Sequence, residues 1–193
     1  YFSQRATDLI QSVLMAGPIG ALRTYQFQNV GAINNRGLEL EGGLRFDRVG
    51  VDAQFYSTTS RVDRIARAYS GWLRRGDPLP EIPSFSGSAR ITYSLPGLQL
   101  AAGSSFLGSW TGYDWNEIAR VDAGLAPARA STRDYLITYP GLFKPYLSLS
   151  VEVARQFMPY LVIDNLANRS DFVQHNGNPP VGRSVLFGVE VRP

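Results

Sequence analysis

Two stretches, YSGWLRRGDP at 69–78 and SWTGYDWNEIAR at 109–120, hold all three tryptophans of the chain among Arg, Asp and Glu side chains. Flat aromatic surfaces beside charges suit stacking on a sugar or an aromatic ligand, and cation–π contact. Trp72, Arg74, Arg75 and Trp115 are therefore the candidate ligand-binding residues, while Arg67, Arg74 and Arg75 equally suit phosphate groups. Trp110 and Tyr113, nearer a predicted strand end, fit an interfacial girdle in which amphipathic rings settle at headgroup level. The sole histidine, His175, sits in DFVQHNGNPPVGR, a stretch rich in Asn, Gly and Pro, and reads as a solvated loop residue. A metal centre wants several ligands at fixed spacing, and the chain offers no second histidine and no cysteine. No metal, cofactor or catalytic constellation is expected, and the chain does not read as an enzyme.

The elements that carry these residues are strands. Hydrophobic residues make up 44% of the 193-residue chain and charged residues only 18%, below the quarter or so usual for soluble domains. Ten Tyr, ten Phe, three Trp and nineteen Gly suit pleated strands and tight bends better than helices. The net charge of +3 is spread along the chain rather than gathered into the basic stripe that nucleic-acid binding needs, so no nucleic-acid partner is expected. No run of 18 or more apolar residues occurs, which excludes a transmembrane helix but not a barrel, whose strands need only about 9–11 alternating residues.

Alternation of that kind recurs. Leu38, Leu40, Leu44 and Phe46 oppose Glu39, Glu41 and Arg45. Val51, Ala53 and Phe55 oppose Asp52, Gln54 and Tyr56, and Ala89, Ile91 and Tyr93 oppose Arg90 and Thr92. The pattern repeats near 98–102, 147–153, 160–164 and 185–191. Short breaks fall at 47–50, 95–97 and 155–158, and long ones, rich in Gly, Pro, Asn and Arg, at about 14–23, 65–83, 110–134 and 167–182. Long and short connections in strict alternation describe about eight antiparallel strands with every long loop at one end, the habit of an up-and-down outer-membrane barrel. A soluble β-sandwich is the competing architecture. In a barrel, backbone groups at membrane depth are all paired, the leucines meet lipid, and the glutamates line a wet interior.

Four ordered stretches carry a resemblance: QNVGAINNRGLELEG (28–42), PEIPSFSGSARITYSL (80–95), LVIDNLANRSDF (161–172) and GRSVLFGVEVRP (182–193). Together they resemble TonB-dependent outer-membrane receptors, in an order and spacing that fit the last third of such a barrel. The resemblance implies an all-β, antiparallel, up-and-down transmembrane β-barrel of roughly 22 strands, of which residues 1–193 supply about eight as its C-terminal portion. It also implies a plug domain outside this chain and TonB as the energising partner. Uptake of a scarce ligand such as a siderophore, vitamin or oligosaccharide follows, with outer-membrane lipid, lipopolysaccharide and the remaining barrel as neighbours and the cell outer membrane as location. The last residues, Val191-Arg192-Pro193, depart from the aromatic ending usual in that family, so either Phe187 stands in for it or the terminus is unusual. A structural or adhesive outer-membrane component, docking other proteins through its long loops, is the alternative from a different class.

Overall fold

The computed structural model describes residues 1–15, 25–154, 156–170 and 181–191. His175, Arg155, Arg192 and Pro193 lie outside the described residues, as do most of the first and last long connections. The strands are β1 (Phe2–Leu14), β2 (Tyr25–Phe46), β3 (Val49–Ile65), β4 (Phe85–Leu95), β5 (Leu98–Leu107), β6 (Trp110–Tyr113), β7 (Leu136–Tyr139), β8 (Leu142–Val151), β9 (Phe157–Asp164) and β10 (Ser184–Val191). One helix, α1 (Trp115–Asp122), and a 3-10 turn at Thr132–Tyr135 lie between β6 and β7. Eight strands form one sheet in the order β1-β2-β3-β4-β5-β8-β9-β10, while β6 and β7 pair separately. Each strand of the large sheet thus neighbours the next one in the chain, the up-and-down connectivity expected from the alternation of loops. The predicted tight turns are present at Asp47-Arg48 and Pro96-Gly97.

Two compact units divide the chain. The first comprises Tyr1–Leu38, Ser57–Ser84 and Ser109–Tyr139, and the second Glu39–Tyr56, Phe85–Gly108 and Pro140–Pro193.

Among the described residues of the second unit, the sheet shows no apolar core. Leu40, Leu44, Phe46, Ile91, Leu100, Val185, Phe187 and Val189 are all exposed, with Leu44 at 76% and Phe46 at 83%. Among the described residues, Ala101 is the only buried hydrophobic side chain of this unit. Leaving a Leu or Phe in water forgoes about 1.5–3 kcal/mol per side chain, so a whole face of them needs a hydrocarbon solvent. The opposite face is polar and paired across strands. Arg45 donates to both Asp52 oxygens at 3.1 and 3.0 Å, Gln54 to Ser88 at 2.9 Å, and Lys144 lies 2.9 Å from Asp164. The same face carries a recess of about 530 Å³ lined by Glu41, Asp52, Gln54, Arg90 and Tyr146. Leucines outward and charges on the other side is the arrangement expected of a lipid-facing strand.

On the apolar face Phe55, Phe85 and Phe106 follow one another at 6.3 Å, and Phe143 lies directly opposite Phe106. Tyr93 shares that face eight residues after Phe85, roughly 26 Å along the strand and about 20 Å once strand tilt is allowed for. Aromatic rings therefore bracket an apolar band near the roughly 25 Å height of outer-membrane barrels. Several rings also lie over glycines on the facing strand, Phe106 over Gly87, Tyr146 over Gly103 and Tyr160 over Gly188. A Cβ on Gly103 would come within 2.7 Å of the Tyr146 ring.

Asn165, at the end of β9, is completely buried in a left-handed conformation (φ 53°). Its amide donates to the carbonyls of Arg169 and Val181 at 2.8 and 3.1 Å and accepts from the Arg169 N–H at 3.0 Å. Both ends of the last long connection are thereby stitched to one side chain. Asn165→Ala is expected to lower stability by about 1–3 kcal/mol through loss of the buried amide that joins the two ends, read as an earlier thermal unfolding transition in detergent. Asn168→Ala, at an exposed site where the side chain accepts from the Arg183 N–H at 2.8 Å, is expected to move it less.

Candidate functional site

The 66–84 connection is an ordered flap laid back on β3. Val62 N–H donates to Asp77 O at 2.9 Å, Gly76 N–H to Val62 O at 2.8 Å and Leu79 N–H to Ser60 O at 3.1 Å. Its apolar residues explain the docking, because Leu73 is buried with Val30 and Val62, and Ile65, Tyr69, Trp72 and Leu79 pack around them. Buried Gln28 fixes the start of the flap, accepting from Ser70 N–H at 2.9 Å and donating to Ser70 Oγ at 2.8 Å.

Residues 109–139 fold as a second insert. Trp110 stacks on Tyr139 across the β6–β7 pair, centroids 5.5 Å apart. Helix α1 starts where the Asp114 carboxylate accepts from Glu117 N–H at 3.0 Å, satisfying a donor that the first turn leaves free. Its inner face places Ile118 and Val121 against Tyr135, with Tyr113, Trp115 and Ala126 around them. Ser131 and Asp134 form a capping box on the 3-10 turn, which presents Arg133.

Flap and insert meet at that arginine. Arg133 donates to the two Asp77 oxygens at 2.6 and 3.1 Å, and its guanidinium lies over the Trp72 ring at 5.7 Å. Trp72 meets Tyr113 edge-on at 6.0 Å, and Tyr113 meets Trp115 edge-on at 5.4 Å. The hydrogen bonds from Arg133 hold the Asp77 carboxyl below its ordinary pKa, so the pair is ionised at neutral pH. Burial pushes the Tyr113 hydroxyl up to about 12, which keeps it neutral. The result is a run of three aromatic rings with one fixed cation on the face of the first, a surface suited to planar or ring-bearing ligands.

Residues 1–156 match the family described as TonB dependent receptor-like, β-barrel. This chain belongs to that family. Among solved structures, the siderophore receptor PiuA from Acinetobacter baumannii superposes with a TM-score of 0.64 at 18% identity, over 97% of this chain and 25% of that one. The copper transporter OprC superposes with a TM-score of 0.66 at 15% identity, over 97% of this chain and 27% of that one. The TonB-dependent receptor barrel described here thus spans about a quarter of the length of those chains, and at such identities the likeness is one of fold. No curated protein sequence matches it.

Of the ligand contacts expected from the sequence of this receptor barrel, Trp72 and Trp115 are brought together through Tyr113, both half-buried. Arg74 and Arg75 are exposed, and Arg74 touches the cluster only through its backbone, accepting from and donating to Asp77. The cation at the rings is Arg133, which sequence reasoning passed over. Trp110 and Tyr113 do not face outward as a girdle, since Trp110 is 8% exposed beneath Tyr139 and Tyr113 is the middle ring of the array. Girdle-type rings are instead the phenylalanines around Phe85. Among the described residues no group of His, Asp or Glu is spaced to hold a metal, and His175 lies outside them.

Proposed function

We propose that this receptor barrel works in the cell outer membrane in the uptake of a scarce small molecule, a siderophore, vitamin or oligosaccharide, captured at the long connections. The observation that carries the reading is the Trp72–Tyr113–Trp115 array, an ordered aromatic surface on flap and insert. Arg74 and Arg75 supply exposed positive charge for an acidic ligand or for lipopolysaccharide phosphate. On this reading residues 1–193 are the C-terminal portion of the barrel, completed by further strands and by a plug domain outside this sequence, with TonB supplying energy. Family membership supports that organisation, and the siderophore and copper cargoes belong to the neighbours' own names.

The test is ligand binding by the intact receptor in lipid nanodiscs against a panel of ferric siderophores, cobalamin and oligosaccharides. An aromatic contact is worth about 0.5–1.5 kcal/mol, so Trp72→Ala and Trp115→Ala should each weaken binding of the recognised ligand by roughly two- to tenfold. Unchanged affinity in both variants would remove the array from the binding surface. Binding of no small molecule, with retention of whole cells on a protein-coated surface, would favour an adhesive component.

A further inference from the structure

We infer that Asp77 and Arg133 are the positioning residues of the candidate site, fixing Trp72 against Tyr113 and tying the 66–84 and 114–135 connections together, so that the aromatic array stands assembled before a ligand arrives. The inference rests on the ligand-contact reading above and deepens it. Each partner is set by its own local structure before the two meet. The Asp77 carboxylate accepts from Arg74 N–H at 2.8 Å, and Asp77 N–H donates to Arg74 O at 3.1 Å, a closed turn that aims the carboxylate. Arg133 sits in the capped 3-10 turn, its own N–H donating to Ser131 Oγ at 3.1 Å. These turns hang from separate apolar anchors, Leu73 for the flap and Tyr135 for the insert.

Two nitrogens meeting two oxygens fix the plane of the guanidinium as well as its position. That plane lies over Trp72, and Arg133 Nη1 also reaches the Trp72 carbonyl at 3.4 Å. Trp72 is thus covered on one face by Arg133 and met at its edge by Tyr113. The Asp77 side chain is only 14% exposed, so this is a partly dry contact rather than a solvated surface pair. Arg74 bonds to the Asp77 carboxylate through its backbone N–H, whereas the side-chain contact to both carboxylate oxygens comes from Arg133.

The experiment uses the intact receptor in lipid nanodiscs, without ligand, labelled with 5-fluorotryptophan and followed by fluorine NMR. Signals of Trp72 and Trp110 are assigned by their loss in W72F and W110F, and Trp110, stacked on Tyr139, is the internal control. Asp77→Asn removes the charge with little change of shape, and Arg133→Lys keeps the charge but lacks the fork and the plane. Each should move the Trp72 signal by more than its linewidth and raise its broadening by a soluble paramagnetic gadolinium chelate, with Trp110 unchanged. A Trp72 signal that stays in place in both variants overturns the inference. So does equal movement of Trp72 and Trp110 in both, since the pair would then hold the general fold and not the ring; if only Asp77→Asn disturbs both signals, Arg133→Lys decides. Because no ligand is present, failure here leaves ligand contact standing, and unchanged binding in both Trp72→Ala and Trp115→Ala would sink ligand contact while leaving this result intact.

Discussion

Gly31→Ala should be among the most damaging single-methyl changes this receptor barrel can suffer, lowering stability by about 2–6 kcal/mol. Gly31 lies on β2 opposite Leu9, where the β1 register slips, and its φ of 123° belongs to a region open to glycine but not to other residues. A Cβ there would run into the Arg64 carbonyl oxygen and come within 2.8 Å of the Ala66 nitrogen. Both obstacles are backbone, so no rotamer can relieve them. The close pass is used, because Ala66 N–H donates to Val30 O at 2.8 Å and Val30 is fully buried against Val62 and Leu73. Pushing β2 and the end of β3 apart would loosen the anchor of the flap that carries Trp72. Gly42→Ala is the matched control, since a Cβ at Gly42 meets nothing within 4 Å, and there the restricted unfolded chain should leave stability unchanged or raise it by about 0.4–1 kcal/mol. Denaturant unfolding of the two variants in lipid vesicles checks the contrast; equal midpoints would mean that the pass at Gly31 is not tight.

The strands and their order were legible because lipid on one side and water on the other impose a strict period of two, and turn formers at Asp47, Pro96 and Gly97 interrupt it. The contents of the 110–134 connection were not. Strands as short as β6 and β7 cannot display an alternation, and α1 is only eight residues long, below the length at which apolar spacing separates helix from chance. A local signal was there, with Asp114 followed three residues later by Glu117 and then Ile118 and Val121 on one face. The Asp77–Arg133 pair was beyond reach for a different reason. The two residues are 56 positions apart in the chain, each looks like an ordinary solvated charge, and only the folding of the flap onto β3 aims one at the other. Trp72 and Trp115 stand out by residue type alone, and the fold joins them in one array through Tyr113. Arg74 and Arg75 were chosen for adjacency in sequence, which on an irregular segment says little about which guanidinium reaches the ring.

Ile91→Arg should destabilise the receptor barrel by about 1–3 kcal/mol in a bilayer, between the midplane and interface costs of an arginine on a lipid face, whereas Thr92→Arg, one residue along the same strand, should change stability little. Ile91 is 55% exposed on β4, opposite Ala102 and on the face shared with Ala89 and Tyr93. Were that face bathed in water, an arginine there would be nearly free of cost, since surface substitutions usually fall within about 0.5 kcal/mol. In hydrocarbon the guanidinium must shed water or snorkel, and Ile91, six residues from Phe85 and two from Tyr93 on β4, lies inside the apolar band nearer its Tyr93 edge. Thr92 points to the polar face with Arg90, where charge is already solvated. A burial penalty inside a dry protein core would have the same sign, so a second readout separates the two solvents. Tryptophan placed at 91 should be quenched by lipids brominated on their acyl chains, and tryptophan at 92 should not. Quenching at neither position, together with an unpenalised arginine at 91, would mean that the exposed leucines of this sheet do not face lipid, and the outer-membrane location proposed here would fall with them.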